Sequence, residues 1–68
     1  MTLTLTQHRV LARLSDQQSR TGYDLEAVPA VLAMLHDDGR ILTNDVGPLM
    51  ARMWHITPDG LAALEAVV

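Results

Sequence analysis

The sequence predicts a small α+β domain, mostly helical, and three observations predict it. Apolar residues recur at helical spacing in three separate stretches. Two short β-prone runs flank a turn cluster, Asn44-Asp45-Val46-Gly47-Pro48. Pro29 and Pro58 each stand where a helix opens, a position that needs no backbone N–H. Sixty-eight residues form a single domain, 1–68, around one small core. With 49% hydrophobic and 19% charged residues, the chain is too apolar to stay disordered.

Thr6 is positioned to cap a first helix from Gln7 to Leu14, with Val10, Leu11 and Leu14 as its apolar stripe. Arg9 and Arg13 lie four apart on another face, and Arg13 with Asp16 has the spacing of a surface ion pair. Ser15 to Gly22 is polar, ends in Gly and reads as a loop. Tyr23 to Ala27 has room for one or two helical turns. From Pro29 a further helix follows, with Val28, Val31, Leu32 and Leu35 facing inward and Gly39 as a left-handed stop. One longer helix from Asp24 to His36, kinked at Pro29, is the alternative.

Arg40 to Thr43 reads as a strand, and Leu49 to Ile56 as a second. The second places Met50, Arg52, Trp54 and Ile56 on one side and Ala51, Met53 and His55 on the other. Thr57-Pro58-Asp59 opens a last helix with a hydroxyl cap, a proline and an acid near the positive dipole end; Leu61, Leu64 and Val68 form its stripe. With no Phe in the chain, Trp54 is expected to supply core volume.

Composition excludes several functions. Without Cys there is no disulfide framework, thiolate chemistry or Cys-based zinc site. His8, His36 and His55 lack metal-ligand spacing, and Asp37 and Asp38 are sequence neighbours that do not face each other on a helix. Ser15 and Ser19 lack a nucleophile context, and the four glycines form no phosphate loop. The expectation is a non-enzymatic protein without cofactor or metal. No stretch approaches the roughly 18 apolar residues of a membrane span, and the opening residues lack a secretory signal's basic start, so a soluble cytoplasmic protein is expected.

Three stretches carry a family resemblance. Arg20-Thr21-Gly22-Tyr23-Asp24-Leu25 is similar to the segment that opens the second helix in PadR-like proteins. Val28 to Ile41 resembles a recognition helix and its exit into a wing, and Trp54 to Leu64 a second wing strand running into the next helix. In that order and spacing they resemble a small winged helix-turn-helix domain of the MarR/PadR type. The resemblance implies three to four helices, a two- or three-stranded wing, and a second helix that is truncated or fused to the third. It also implies double-stranded DNA as partner, transcription regulation and a homodimer.

The residues temper that implication. The net charge is −3, all five cations are Arg, and Pro29, Ala30, Ala33 and Met34 face outward from the third helix without one hydrogen-bond donor. DNA contacts are therefore expected at backbone and minor groove, from Arg20, Thr21 and Tyr23 near the second helix and Asn44 and Arg52 on the wing. Such binding would be weak. The alternative is a protein-interaction module, an accessory or inhibitor protein of phage or plasmid type, with Ala30, Ala33 and Met34 as the interface.

Overall fold

A computed structural model describes residues 3–66. Helix α1 (Leu5–Leu14) is followed by strand β1 (Arg20–Thr21), helix α2 (Gly22–Leu25), helix α3 (Pro29–Asp37), strand β2 (Ile41–Thr43), a 3-10 turn (Leu49–Ala51), strand β3 (Met53–Ile56) and helix α4 (Pro58–Glu65). The three strands form one antiparallel sheet in the order β1-β3-β2. The architecture is the expected winged helix, with a three-stranded wing sheet and a separate, truncated second helix.

α1 begins earlier than expected. Thr4, not Thr6, is its cap: the Gln7 N–H donates to Thr4 Oγ1 at 3.2 Å and the Thr4 N–H to Gln7 Oε1 at 3.0 Å. This is a reciprocal capping box, and it draws Gln7 into the core boundary. Val10, Leu11 and Leu14 are buried as the stripe requires.

The loop after α1 contains what local pattern did not disclose. Arg20 and Thr21 pair with Trp54 and Met53, so the polar segment supplies a strand. Gly22 does not end the loop but opens α2, buried where a Cβ would press on Leu32 and the Met50 backbone. α2 stops at Glu26, which adopts the left-handed conformation (φ 54°). That break rules out the continuous kinked helix.

α3 opens with Pro29 in its first turn and closes at Gly39 (φ 75°), with Arg40 N–H on Leu35 O at 2.9 Å and Gly39 N–H on His36 O at 3.0 Å. This is a Schellman stop. Leu32 and Leu35 are buried and Val31 is half-buried, but Val28 is 57% exposed and does not belong to the core stripe.

β3 is shorter than expected because Leu49–Ala51 coils into the 3-10 turn, which takes Met50 and Arg52 out of the strand. Trp54 and Ile56 face inward, while Met53 and His55 face away. Trp54 has 0% of its surface exposed. Its indole N–H donates to Leu49 O at 2.9 Å, and its ring meets His36 edge-on with centroids 5.5 Å apart.

Thr57 joins the sheet to α4. Its Oγ1 donates to Gly39 O at 2.7 Å and accepts from Gly60 N–H at 3.0 Å, while its own N–H donates to Arg40 O at 3.1 Å. Gly60 lies against that same Arg40 carbonyl. Leu61 and Leu64 are half-buried; Val68 lies outside the described residues.

Two predictions follow from this packing. Trp54→Ala removes the largest core side chain at a cost of about 3–5 kcal/mol. A domain this small has about that much in total. Far-ultraviolet circular dichroism should show an unfolded chain at 25 °C, and a cooperative thermal transition above that temperature would contradict it. Gly60→Ala improves helix propensity by about 1 kcal/mol, yet its Cβ would fall on the Arg40 carbonyl oxygen. Urea denaturation should show a net loss of stability, and a gain would refute the close approach.

Candidate nucleic-acid interface

The residues expected to meet DNA sit at two places that the sheet brings together. Arg20 and Thr21 form β1, immediately before α2, and Thr21 lies opposite Met53, the residue after Arg52. The start of the helix-turn-helix and the base of the wing are thus neighbouring strands. Asn44 is exposed on the loop after β2. Tyr23, on α2, is 67% exposed.

Most of the positive charge is already engaged. Arg20 Nη1 and Nη2 donate to the two Asp16 carboxylate oxygens at 2.8 and 2.7 Å, and Nη1 also donates to Arg13 O at 2.8 Å. Asp16 therefore pairs with Arg20, four residues on, and not with Arg13. Arg13 instead turns to the end of α2, donating to Asp24 O at 3.3 Å and Glu26 Oε2 at 3.4 Å. It forms no free basic ridge with Arg9, which is exposed. Arg40 pairs with Asp38 at 3.6 Å. Arg52 Nε donates to Gly47 O at 2.8 Å, bracing the wing turn. Thr21 Oγ1 accepts from Asp24 N–H at 3.1 Å as the α2 cap.

The wing turn is also held from within. Met53 N–H donates to Asp45 Oδ2 at 2.7 Å, and Thr43 Oγ1 donates to Met53 O at 2.8 Å. The Asp45 charge is thereby directed onto β3. At the tip, Val46 is 94% exposed, an apolar group that the turn composition alone did not single out.

On α3, Ala30 and Met34 are exposed, Met34 at 52%, while Ala33 is half-buried and flanks the outer face. Asp37 completes the outward row Ala30, Met34, Asp37 at i, i+4 and i+7. No side chain caps the exposed N-terminus of α3. Among the described residues, no three His, Asp or Glu side chains gather where they could hold a metal. No helix among the described residues is long and apolar enough to cross a membrane.

The Asp16 carboxyl is strongly displaced from its ordinary value. Hydrogen bonds from Arg20 first, and from the Gln18 N–H second, lower it from 3.8 to about 2. The ionised form is favoured in the folded chain, so its contribution to stability is present above the ordinary carboxylate range and fades as pH falls toward 2. A carboxyl ¹³C titration should show Asp16 protonating near pH 2 in the native protein. In Arg20→Ala its midpoint should rise toward 3.8; an unmoved midpoint would remove Arg20 as the cause.

The fold is similar to that of a known protein. A MarR-family transcriptional regulator from Silicibacter pomeroyi superposes with a TM-score of 0.78 and 22% identity, covering 96% of this chain and 49% of the regulator's. The chain thus spans about half the length of that neighbour. No family model matches the sequence, and no curated protein does.

Proposed function

We propose that this winged helix is a non-enzymatic DNA-binding module of the transcription-regulator kind, bound to duplex DNA mainly through the sugar–phosphate backbone. The observation that supports the proposal is the fold, shared with a solved MarR-family transcriptional regulator, together with the β1–β3 pairing that sets Arg20 and Thr21 beside the base of the wing. Arg20, Thr21 and Tyr23 would approach one phosphate stretch, and Asn44 and Arg52 the backbone or minor groove beside the wing. Asp16 holds Arg20 Nη1 and Nη2, and Nε–H has no partner among the described residues. Because three of the five arginines pair with acids and the net charge is −3, affinity is weak and grows when two copies bind together.

A second reading is a protein-interaction module. Exposed Val28, Ala30 and Met34 favour it, since they offer apolar contact and no donor. Ala33, being half-buried, would lie at the edge of such an interface.

Fluorescence anisotropy with a mixed-sequence duplex at low and moderate salt separates the two. The DNA reading expects binding that weakens steeply with salt, and an Arg52→Ala loss of similar size on every sequence, with a salt slope shallower by about one. Absence of binding at low salt eliminates it. Ala30→Glu should then disrupt protein association if the second reading holds.

A further inference from the structure

Arg20 is anchored at both ends. Its backbone lies in β1, paired with Trp54, whose side chain is fully buried in the core. Three of its five N–H groups have protein partners. Nη1 donates to Asp16 Oδ1 and to Arg13 O, both at 2.8 Å, and Nη2 donates to Asp16 Oδ2 at 2.7 Å. Asp16 is itself fixed, because its Oδ1 accepts from the Gln18 N–H at 3.1 Å. The Arg13 carbonyl belongs to the last turn of α1, where a helix leaves acceptors open. A long side chain that otherwise samples many rotamers is thus set before any ligand arrives.

A planar guanidinium has an end-on fork, Nη1 with Nη2, and a side-on fork, Nε with Nη2. Asp16 occupies the end-on fork. The side-on fork stays open: Nε–H and the second Nη2 hydrogen have no partner among the described residues. These two N–H bonds run parallel in the guanidinium plane, a geometry that grips two oxygens of one phosphate. The side chain keeps 30% of its surface exposed. Other arginines are held differently. Arg52 is bonded through Nε, to Gly47 O, which closes its side-on fork. Arg13 and Arg40 reach their acids at 3.4 and 3.6 Å, neither as a bidentate pair.

Resting on the DNA reading above, we infer that Asp16 is a positioning residue for DNA binding: it holds the end-on fork of Arg20 so that the side-on fork is preset to grip a phosphodiester group of duplex DNA. Asp16 has the wrong sign of charge for a nucleic-acid surface, so on charge alone it hinders binding. Its contribution is orientation, which gives removal of that charge an effect opposite to simple electrostatics. The Asp16–Arg20 pair stays closed in the complex, since carboxylate and phosphate use different N–H groups.

The full chain is titrated against a mixed-sequence duplex at one low salt concentration, as wild type, Asp16→Asn, Arg20→Lys and the double variant. Circular dichroism checks that each is folded. Asp16→Asn should bind about two- to tenfold more weakly, the cost of immobilising a freed, rotamer-rich side chain on binding. Arg20→Lys keeps the charge but has no fork, and in that background Asp16→Asn should tighten binding, because only relief of repulsion remains. In the wild type, the Arg20 ¹Hε resonance should move downfield as duplex is added while the Asp16 carboxyl ¹³C shift stays in place. A displaced Asp16 signal would mean that the pair opens, and would overturn the inference even if the variants fail to fold. Tighter or unchanged binding by Asp16→Asn alone would overturn it while leaving the DNA reading intact. So would a weakening that survives in the Arg20→Lys background, which would make the role of Asp16 purely structural. No binding by the wild type would overturn both.

Discussion

The burial of Trp54 in the middle strand is the constraint on which the other elements depend. β3 is paired on both sides, so one side chain of that strand reaches the centre of the domain with sheet on either flank. The core holds no Phe and is otherwise aliphatic. An indole fills volume that Leu and Val would fill less densely, but it brings an N–H that must find an acceptor in the interior. The 3-10 turn provides one in Leu49 O, and His36 on α3 closes over the ring edge. The turn before β3 and the back of α3 are therefore tied to one residue.

The second support is the corner where α3 ends and α4 begins. The Schellman stop leaves the Gly39 and Arg40 carbonyls directed away from α3, and Thr57 binds both of them. A single residue thereby caps α4, extends the β2–β3 pairing and satisfies the helix exit. Among the described residues no buried side-chain nitrogen or oxygen lacks a partner, as a small domain with little stability to spare requires.

Those supports leave the outside of α3 free of structural duty, and its composition shows it. The arginines, by contrast, are used largely for local order: one orients Asp16, one secures the end of α2, one sits beside the α3 exit and one braces the wing turn. A winged helix arranged in this way presents shape and apolar contact more than charge.

Much of this was legible in the chain itself. The stripes of α1 and α3, the proline-led starts of α3 and α4, the Gly39 stop and the burial of Trp54 are local or nearly local effects, set by periodicity, capping chemistry and side-chain volume. The Thr4–Gln7 capping box is written there too, as Thr-x-x-Gln, two residues upstream of the competing hydroxyl of Thr6. Other features required the whole fold. β1 is two polar residues that become a strand only because β3 has an edge to pair with. Glu26 takes a left-handed conformation that no Glu prefers alone, because α2 must end before α3 can pack. The choice of Arg20 over Arg13 as the partner of Asp16 follows from where β1 holds its backbone. Hydrogen bonds between neighbours in sequence can be read from sequence; partnerships that depend on where distant segments come to rest are decided by packing.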